Sequence, residues 1–198
     1  SRMRAMGVGD GHQVVVYDSA GLFSAARVWW LFRLMGKPDI AVLDGGLPKW
    51  QAEGRPVEDL PPILRDRHMT VQRQAHLVKD VTQVAQAVKL RDWQIVDARA
   101  PERFAGEAPE PRPGLRAGHI PGSCNLHYKR LLNGDGTMKD TDALRAAFEA
   151  AGVDLGKPII TTCGSGVTAA ILSLALARLG HERNALYDGS WSEWGRYP

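Results

Sequence analysis

Cysteine is scarce in this chain, with two in 198 residues, Cys124 and Cys163. The second opens the run Cys163-Gly164-Ser165-Gly166-Val167-Thr168, which follows the apolar, β-branched stretch at 157–162 and leads into a helical pattern at 168–179. A cysteine between a strand end and a helix start is well placed for nucleophilic chemistry. The two glycines let the backbone curl with its N–H groups inward, and the helix N-terminus adds unpaired N–H groups and partial positive charge. Such a loop stabilises an anion at its centre and favours a thiolate at Cys163. The plainer reading of the same residues is a small buried hydrophobe in a turn.

Two cysteine chemistries fail on the residues themselves. A cysteine phosphatase needs an arginine at the position held here by Ala169, and nothing basic in the loop can clamp a phosphate dianion. A dithiol redox pair needs Cys-x-x-Cys, a spacing this sequence lacks. Two thiols make neither a disulfide scaffold nor a four-thiolate zinc site, and no His/Cys/Asp cluster has metal-ligand spacing.

The pattern around the loop predicts an α/β protein. Strands are expected at 14–17, 40–43, 93–97, 157–162 and 184–187, with a short one near Asn125. Helices are expected at 21–35, 81–90, 141–151 (begun by Thr141 or Asp142) and 168–179. Strands alternating with helices imply a parallel sheet covered on both faces. Asp44-Gly45-Gly46 reads as a turn, and 54–62 holds Pro56, Pro61 and Pro62, the best linker signal in the chain. The polar stretch 99–118 reads as a long functional loop.

One unit of the chain recurs. Gly7, Val8, Gly11, Gly21, Ala25, Leu31, Arg33 and Leu34 match Gly152, Val153, Gly156, Gly166, Ala170, Leu176, Arg178 and Leu179. After a single gap, Gly36, Ala41, Asp44, Gly45 and Trp50 match Gly180, Ala185, Asp188, Gly189 and Trp194. Shared turn glycines and shared apolar helix positions are what two copies of one strand–helix–strand unit need. Cys163 falls opposite Asp18, so only the second copy keeps a nucleophile. That copy extends back to about His76, whereas the first starts almost at once and is expected to be truncated. The expected division is a partial, catalytically degenerate module at 1–57, a linker at 58–75 and a catalytic module at 76–198.

The Cys163 loop, Gly118-His119-Ile120-Pro121-Gly122 and the run Tyr187-Asp188-Gly189-Ser190-Trp191-Ser192-Glu193-Trp194 together resemble a tandem-domain rhodanese-type sulfurtransferase. The neutral loop is similar to the 3-mercaptopyruvate branch. The resemblance implies a rhodanese-like parallel sheet in two repeated modules, with Cys163 as the nucleophile that carries a persulfide. Gly164, Gly166, Val167 and Thr168 would cradle the anion, and Ser165 would position a proton. Arg103 and Arg112 would hold the carboxylate and carbonyl of the donor, a task that suits bidentate guanidinium; otherwise each is a surface partner of Glu107 or Glu110. Similar enzymes complete the serine relay with a histidine and an aspartate from the front half of the first module, and His12 lies elsewhere in the repeat.

Plainer roles are expected for other conspicuous residues. Asp97 and Arg99 form a structural pair, His119 bonds nearby backbone, Trp191 and Trp194 pack, and Cys124 is inert core. Twenty-five Lys and Arg against 22 Asp and Glu give a net charge of +3, too diffuse for a nucleic-acid partner. No run of about 18 apolar residues predicts a membrane span. Ser1 opens the chain without a basic-then-apolar leader, so a cytoplasmic place is expected. The expected activity is sulfur transfer from 3-mercaptopyruvate to a small thiol, a thioredoxin-like protein or cyanide, with no cofactor. Thiosulfate as donor, or a non-catalytic rhodanese-like binding module, are the alternatives.

Overall fold

The computed structural model describes residues 2–197. After a short helix α1 (Arg2–Ala5), strands β1 (Val14–Val16) and β2 (Ile40–Val42) flank helix α2 (Ser24–Leu34), and α3 (Gly46–Ala52) follows. The second unit runs β3 (Val78–Lys79), α4 (Val81–Leu90), β4 (Gln94–Asp97), α5 (Pro101–Ala105) and β5 (Cys124–Asn125). It closes with α6 (Thr141–Ala150), β6 (Ile159–Thr162), α7 (Ala169–Arg178), β7 (Asn184–Tyr187) and α8 (Ser190–Trp194).

All strand pairs are parallel. β1 and β2 form a two-stranded sheet, and the other five strands take the order β3-β7-β6-β4-β5. The expected α/β class is therefore what the chain adopts. The central strand β6 is buried along its whole length, as a parallel strand covered on both faces must be. Its side chains alternate: Ile159 joins the core that includes α7, and Ile160 joins the opposite core with Val84, Ala87 and Tyr187.

Three short helices stand where the sequence predicts only turns or loop. Gly45 and Gly46, both left-handed (φ 84° and 58°), turn the chain from Asp44 into α3. Pro101 starts α5 inside the long polar loop, and Gly106 ends it with φ 82°. α8 occupies the end of the Trp-rich run. The cap of α6 is Asp140 rather than Thr141 or Asp142, its carboxylate accepting the Ala143 N–H at 2.9 Å.

The two units share one core. Ala26, Trp29 and Trp30 of α2 are buried in the same cluster as Ala169, Ile171, Leu172 and Leu176 of α7. The Trp30 indole donates to the Leu77 carbonyl at 3.3 Å, and equivalent turn aspartates make reciprocal cross-unit pairs. Asp188 meets Arg27 at 2.6 Å, and Asp44 meets Arg178 at 3.8 Å. The connecting stretch holds no helix or strand between Ala52 and Ala75, and its later part lies along the first unit. There the Gln72 and Gln74 N–H groups donate to the Met35 and Leu34 carbonyls at 2.9 and 2.7 Å. Among the described residues no helix is long and apolar enough to cross a membrane.

Leu172 is fully buried in the seam between the units. Leu172→Ala is expected to cost about 2–5 kcal/mol in urea unfolding, whereas the same change at exposed Leu64 leaves the midpoint within error. Equal effects at the two sites would show that the shared core does not hold the fold.

Candidate active site

β6 delivers the chain into the loop, and α7 receives it at Ala169. Between them Cys163 is 2% exposed, and the Gly166 N–H donates to its Sγ at 3.1 Å. Gly166 takes φ 80°, which turns its N–H back toward the sulfur. A thiol in this place therefore has a backbone donor already aimed at it.

The base of the loop is clamped by the Trp-rich run. The Cys163 N–H donates to the Ser190 hydroxyl at 3.3 Å, and the Trp191 and Ser192 N–H groups donate to the carbonyls of Cys163 and Gly164, each at 2.9 Å. Ser190 is buried and holds φ 50°, a conformation that costs a non-glycine residue about 1–2 kcal/mol. Its hydroxyl also donates to the Tyr187 carbonyl at 2.9 Å. Gly46 holds the matching place in the repeat with φ 58°.

The first copy of the loop reveals what such a turn binds. Asp18 stands where Cys163 stands in the second, and its carboxylate accepts the N–H groups of Ala20, Phe23 and Ala25 at 2.9, 2.7 and 2.9 Å. The turn is an anion cradle filled by its own side chain. In the second copy the shorter, softer cysteine leaves the centre for another atom.

Cys163, Gly164, Ser165, Val167 and Thr168 line a cavity of about 330 Å³ together with Arg103 and Arg112. Seven of the eight residues expected at the site thus meet around one space. The eighth, Gly166, lies buried behind the sulfur. Arg103 is fixed from behind: its Nη2 meets Glu110 Oε2 at 2.6 Å, while Glu110 Oε1 meets Arg99 Nη1 at 2.8 Å. Arg99 in turn pairs with Asp97 at 2.7 Å, both 1% exposed, and lies 4.5 Å from the Trp191 ring centroid. Glu110 is therefore a buried bridge rather than a surface partner. Arg112 donates to the Ser192 hydroxyl, which donates to the Gly164 carbonyl at 2.5 Å.

His119 donates its Nδ1–H to the Phe104 carbonyl (2.7 Å) and stacks on the Phe104 ring, 3.9 Å between centroids. Trp191 is buried, its indole donating to the Arg116 carbonyl at 2.9 Å. Cys124 packs against the main core from the edge strand β5, half-buried, where desolvation pushes its thiol pKa up. Among the described residues no group of three or more His, Cys, Asp or Glu could hold a metal ion.

The sequence reading missed the residues that reach the site from elsewhere. Phe23 of the first unit forms one wall of the cavity, and Ser192 another. Arg27 of α2 packs behind Gly166. One signal was available for Arg27, a charged residue among Ala26, Trp29 and Trp30 on a buried helix face, where the second copy has Leu172.

A Cβ added to Gly166 would sit 2.8 Å from Arg27 Nη1 and 3.3 Å from the Asp188 carbonyl, in a left-handed backbone. Gly166→Ala is expected to lose about 1–2 kcal/mol of stability from backbone strain alone, with a further loss of Cys163 reactivity. A variant that matches the parent in both urea midpoint and thiol labelling rate would contradict this geometry.

Comparison with known proteins follows the same lines. The family described as Rhodanese-like domain matches residues 2–53 and 80–197. The 3-mercaptopyruvate sulfurtransferase of Escherichia coli K12 is 45% identical over 193 residues, covering 98% of this chain and 68% of that protein. The thiosulfate/3-mercaptopyruvate sulfurtransferase 1 of Arabidopsis thaliana, named as mitochondrial, is 40% identical over 215 residues. That match covers 98% of this chain but 57% of the plant protein, so the chain spans less than two thirds of it. The crystal structure of SseA from Escherichia coli, described as a 3-mercaptopyruvate sulfotransferase with the "Rhodanese" fold, superposes with a TM-score of 0.86. It is 42% identical, and the superposition covers 97% of this chain and 71% of that one. With the Cys163 loop, the repeated parallel units and matches over both, the chain belongs to the rhodanese-like family.

Proposed function

We propose that this protein transfers a sulfur atom from 3-mercaptopyruvate to a thiol acceptor or cyanide by way of a persulfide on Cys163. One observation carries the reading: a charge-free cysteine loop, whose first copy is filled by a carboxylate, faces two arginines across one small cavity. In this reading residues 1–57 form the degenerate module, 58–75 connect, and 76–198 carry the chemistry.

The step balances without an outside oxidant. The Cys163 thiolate attacks the donor sulfur, an S–S bond forms, and the C–S bond breaks with its electron pair passing to carbon. The resulting pyruvate enolate takes up the proton of the donor thiol, leaving the persulfide anion on Cys163 and free pyruvate. Developing charge on the outer sulfur falls where the Gly166 N–H and its neighbours point. Arg103 and Arg112 hold the donor carboxylate and carbonyl, with Arg103 pre-oriented by Glu110. Ser165, on the cavity wall, is the residue placed to position the moving proton. Gly164, Gly166, Val167 and Thr168 shape the cradle.

The acceptor we favour is a small thiol or a thioredoxin-like protein, and the compartment the cytoplasm. Thiosulfate is the second donor to consider, because the Arabidopsis relatives carry both donors in their names.

Incubation with 3-mercaptopyruvate is expected to add about 32 Da, one sulfur, to the peptide bearing Cys163 and none to that bearing Cys124. Absence of that gain with either donor would leave the non-catalytic binding module as the surviving reading. Turnover is expected to be faster on 3-mercaptopyruvate than on thiosulfate, and the reverse order changes the donor. Arg112→Ala should raise KM for 3-mercaptopyruvate about tenfold or more, with a smaller fall in kcat. An unchanged KM removes Arg112 from the clamp.

A further inference from the structure

Arg27 has no part in the chemistry above, yet its guanidinium packs against the loop that carries it. It projects from α2 of the first unit and stacks on its own helix, 4.8 Å from the Trp30 ring centroid. Nη2 meets the Asp188 carboxylate at 2.6 Å. Nη1 is buried and has no hydrogen-bond acceptor among the described residues. That bare nitrogen sits so close behind Gly166 that an added Cβ would lie 2.8 Å from it, and the N–H of the same glycine meets Sγ at 3.1 Å.

A buried guanidinium N–H left without an acceptor is costly, and charged side chains are seldom held so without a compensating role. Here its surroundings supply one. The loop itself carries no charge; on its cavity side the chain Asp97, Arg99, Glu110 and Arg103 is balanced, and Arg112 faces the opening rather than the back of the sulfur. Asp188, the partner of Arg27, is half exposed and shares its field with water, whereas Nη1 faces the buried side. A cation behind a cysteine loop stabilises an anion built on the sulfur.

We propose that Arg27 is a positioning residue for the sulfur-carrying loop, holding Gly166 so that its N–H meets Sγ and supplying the positive charge the loop lacks. The degenerate unit thereby tunes the reactive one. This rests on Cys163 being the sulfur carrier, as proposed above.

The test is the rate constant for iodoacetamide labelling of Cys163 near neutral pH, followed by peptide mass mapping on the full chain. A permanently misfolded fraction gives its own phase in the labelling trace, so the rate constant is read from the folded phase alone. Arg27→Met is expected to slow labelling about tenfold, and Arg27→Lys to recover most of the loss. The lifetime of the Cys163 persulfide should shorten in the same order. Unchanged labelling in Arg27→Met, with the parent protein reactive, overturns the inference and leaves the proposed function standing. Failure of Arg27→Lys to rescue assigns the effect to packing and overturns the role of charge. An unreactive Cys163 in the parent protein instead overturns the function on which the inference rests. Should Arg27→Met not fold, Asp188→Asn provides the second variant, because it frees the guanidinium while keeping its stack on Trp30. It should alter the labelling constant about threefold or more, and no change there overturns the inference as well.

Discussion

A strand-to-helix turn that gathers backbone N–H groups around one point must put something negative at that point. Unsatisfied donors in a dry turn are costly, and the helix N-terminus adds partial positive charge. This chain solves the problem twice. In the first unit the Asp18 carboxylate takes three of the donors and the turn is closed for good. In the second the Cys163 sulfur takes one, from Gly166, and the cavity in front remains accessible to another molecule. The residue at the head of the turn, carboxylate in one copy and thiol in the other, separates a self-satisfied turn from one with space in front of it. Left-handed Gly166, strained Ser190 and three hydrogen bonds to 190–192, two of them backbone to backbone, hold the second turn in shape without a carboxylate at its centre.

The arginines obey a related constraint. A guanidinium brought to a half-closed cavity must be held still, and a buried charge must be paired. The alternating chain Asp97, Arg99, Glu110 and Arg103 does both, with Trp191 stacked beneath Arg99. Its inner members Asp97, Arg99 and Glu110 are buried, and Arg103 supplies the second positive charge that balances them. Only the last, Arg103, emerges into the cavity, 27% exposed, and it does so from a one-turn helix rather than a loose loop. Arg112 has no such support beyond the Ser192 hydroxyl, which ties it to the carbonyl of Gly164. One arginine is therefore preset by the core, and the other is tied to the loop backbone through Ser192.

Much of this was legible in the sequence, and the parts that were not share a cause. β6, α7 and the loop between them follow from an apolar β-branched run, two glycines and a helical period, all local signals. The repeat alone sets Asp18 opposite Cys163. Helices α3, α5 and α8 escaped because one or two turns are too short for a 3.6-residue period to register. Asp140 was passed over in favour of its neighbours because the capping residue lies one step outside the apolar pattern. That Cys124 packs on the core from a sheet edge is not legible, because a two-residue strand gives no hint of its place in the sheet. Phe23, Arg27 and Ser192 could not be assigned to the site from spacing, since their nearness to Cys163 comes from α2 packing on α7 and from α8 folding under the loop.

That packing also explains why residues of the first unit stand beside the Cys163 loop of the second. α2 and α7 are equivalent helices of the repeat, and their contact buries aromatic residues from one side against aliphatic residues from the other. The turn aspartates of the two units then reach across in opposite directions, Asp44 to Arg178 and Asp188 to Arg27. Because the two turns differ in content, the same near-symmetric exchange has unequal results. On one side it meets a closed turn around Asp18, and the ion pair fastens the units together. On the other it brings Phe23 and a guanidinium against an open turn around Cys163. The shared core thus fixes, with the rigidity of close packing, the distance between a sulfur on one unit and the groups on the other that shape its surroundings.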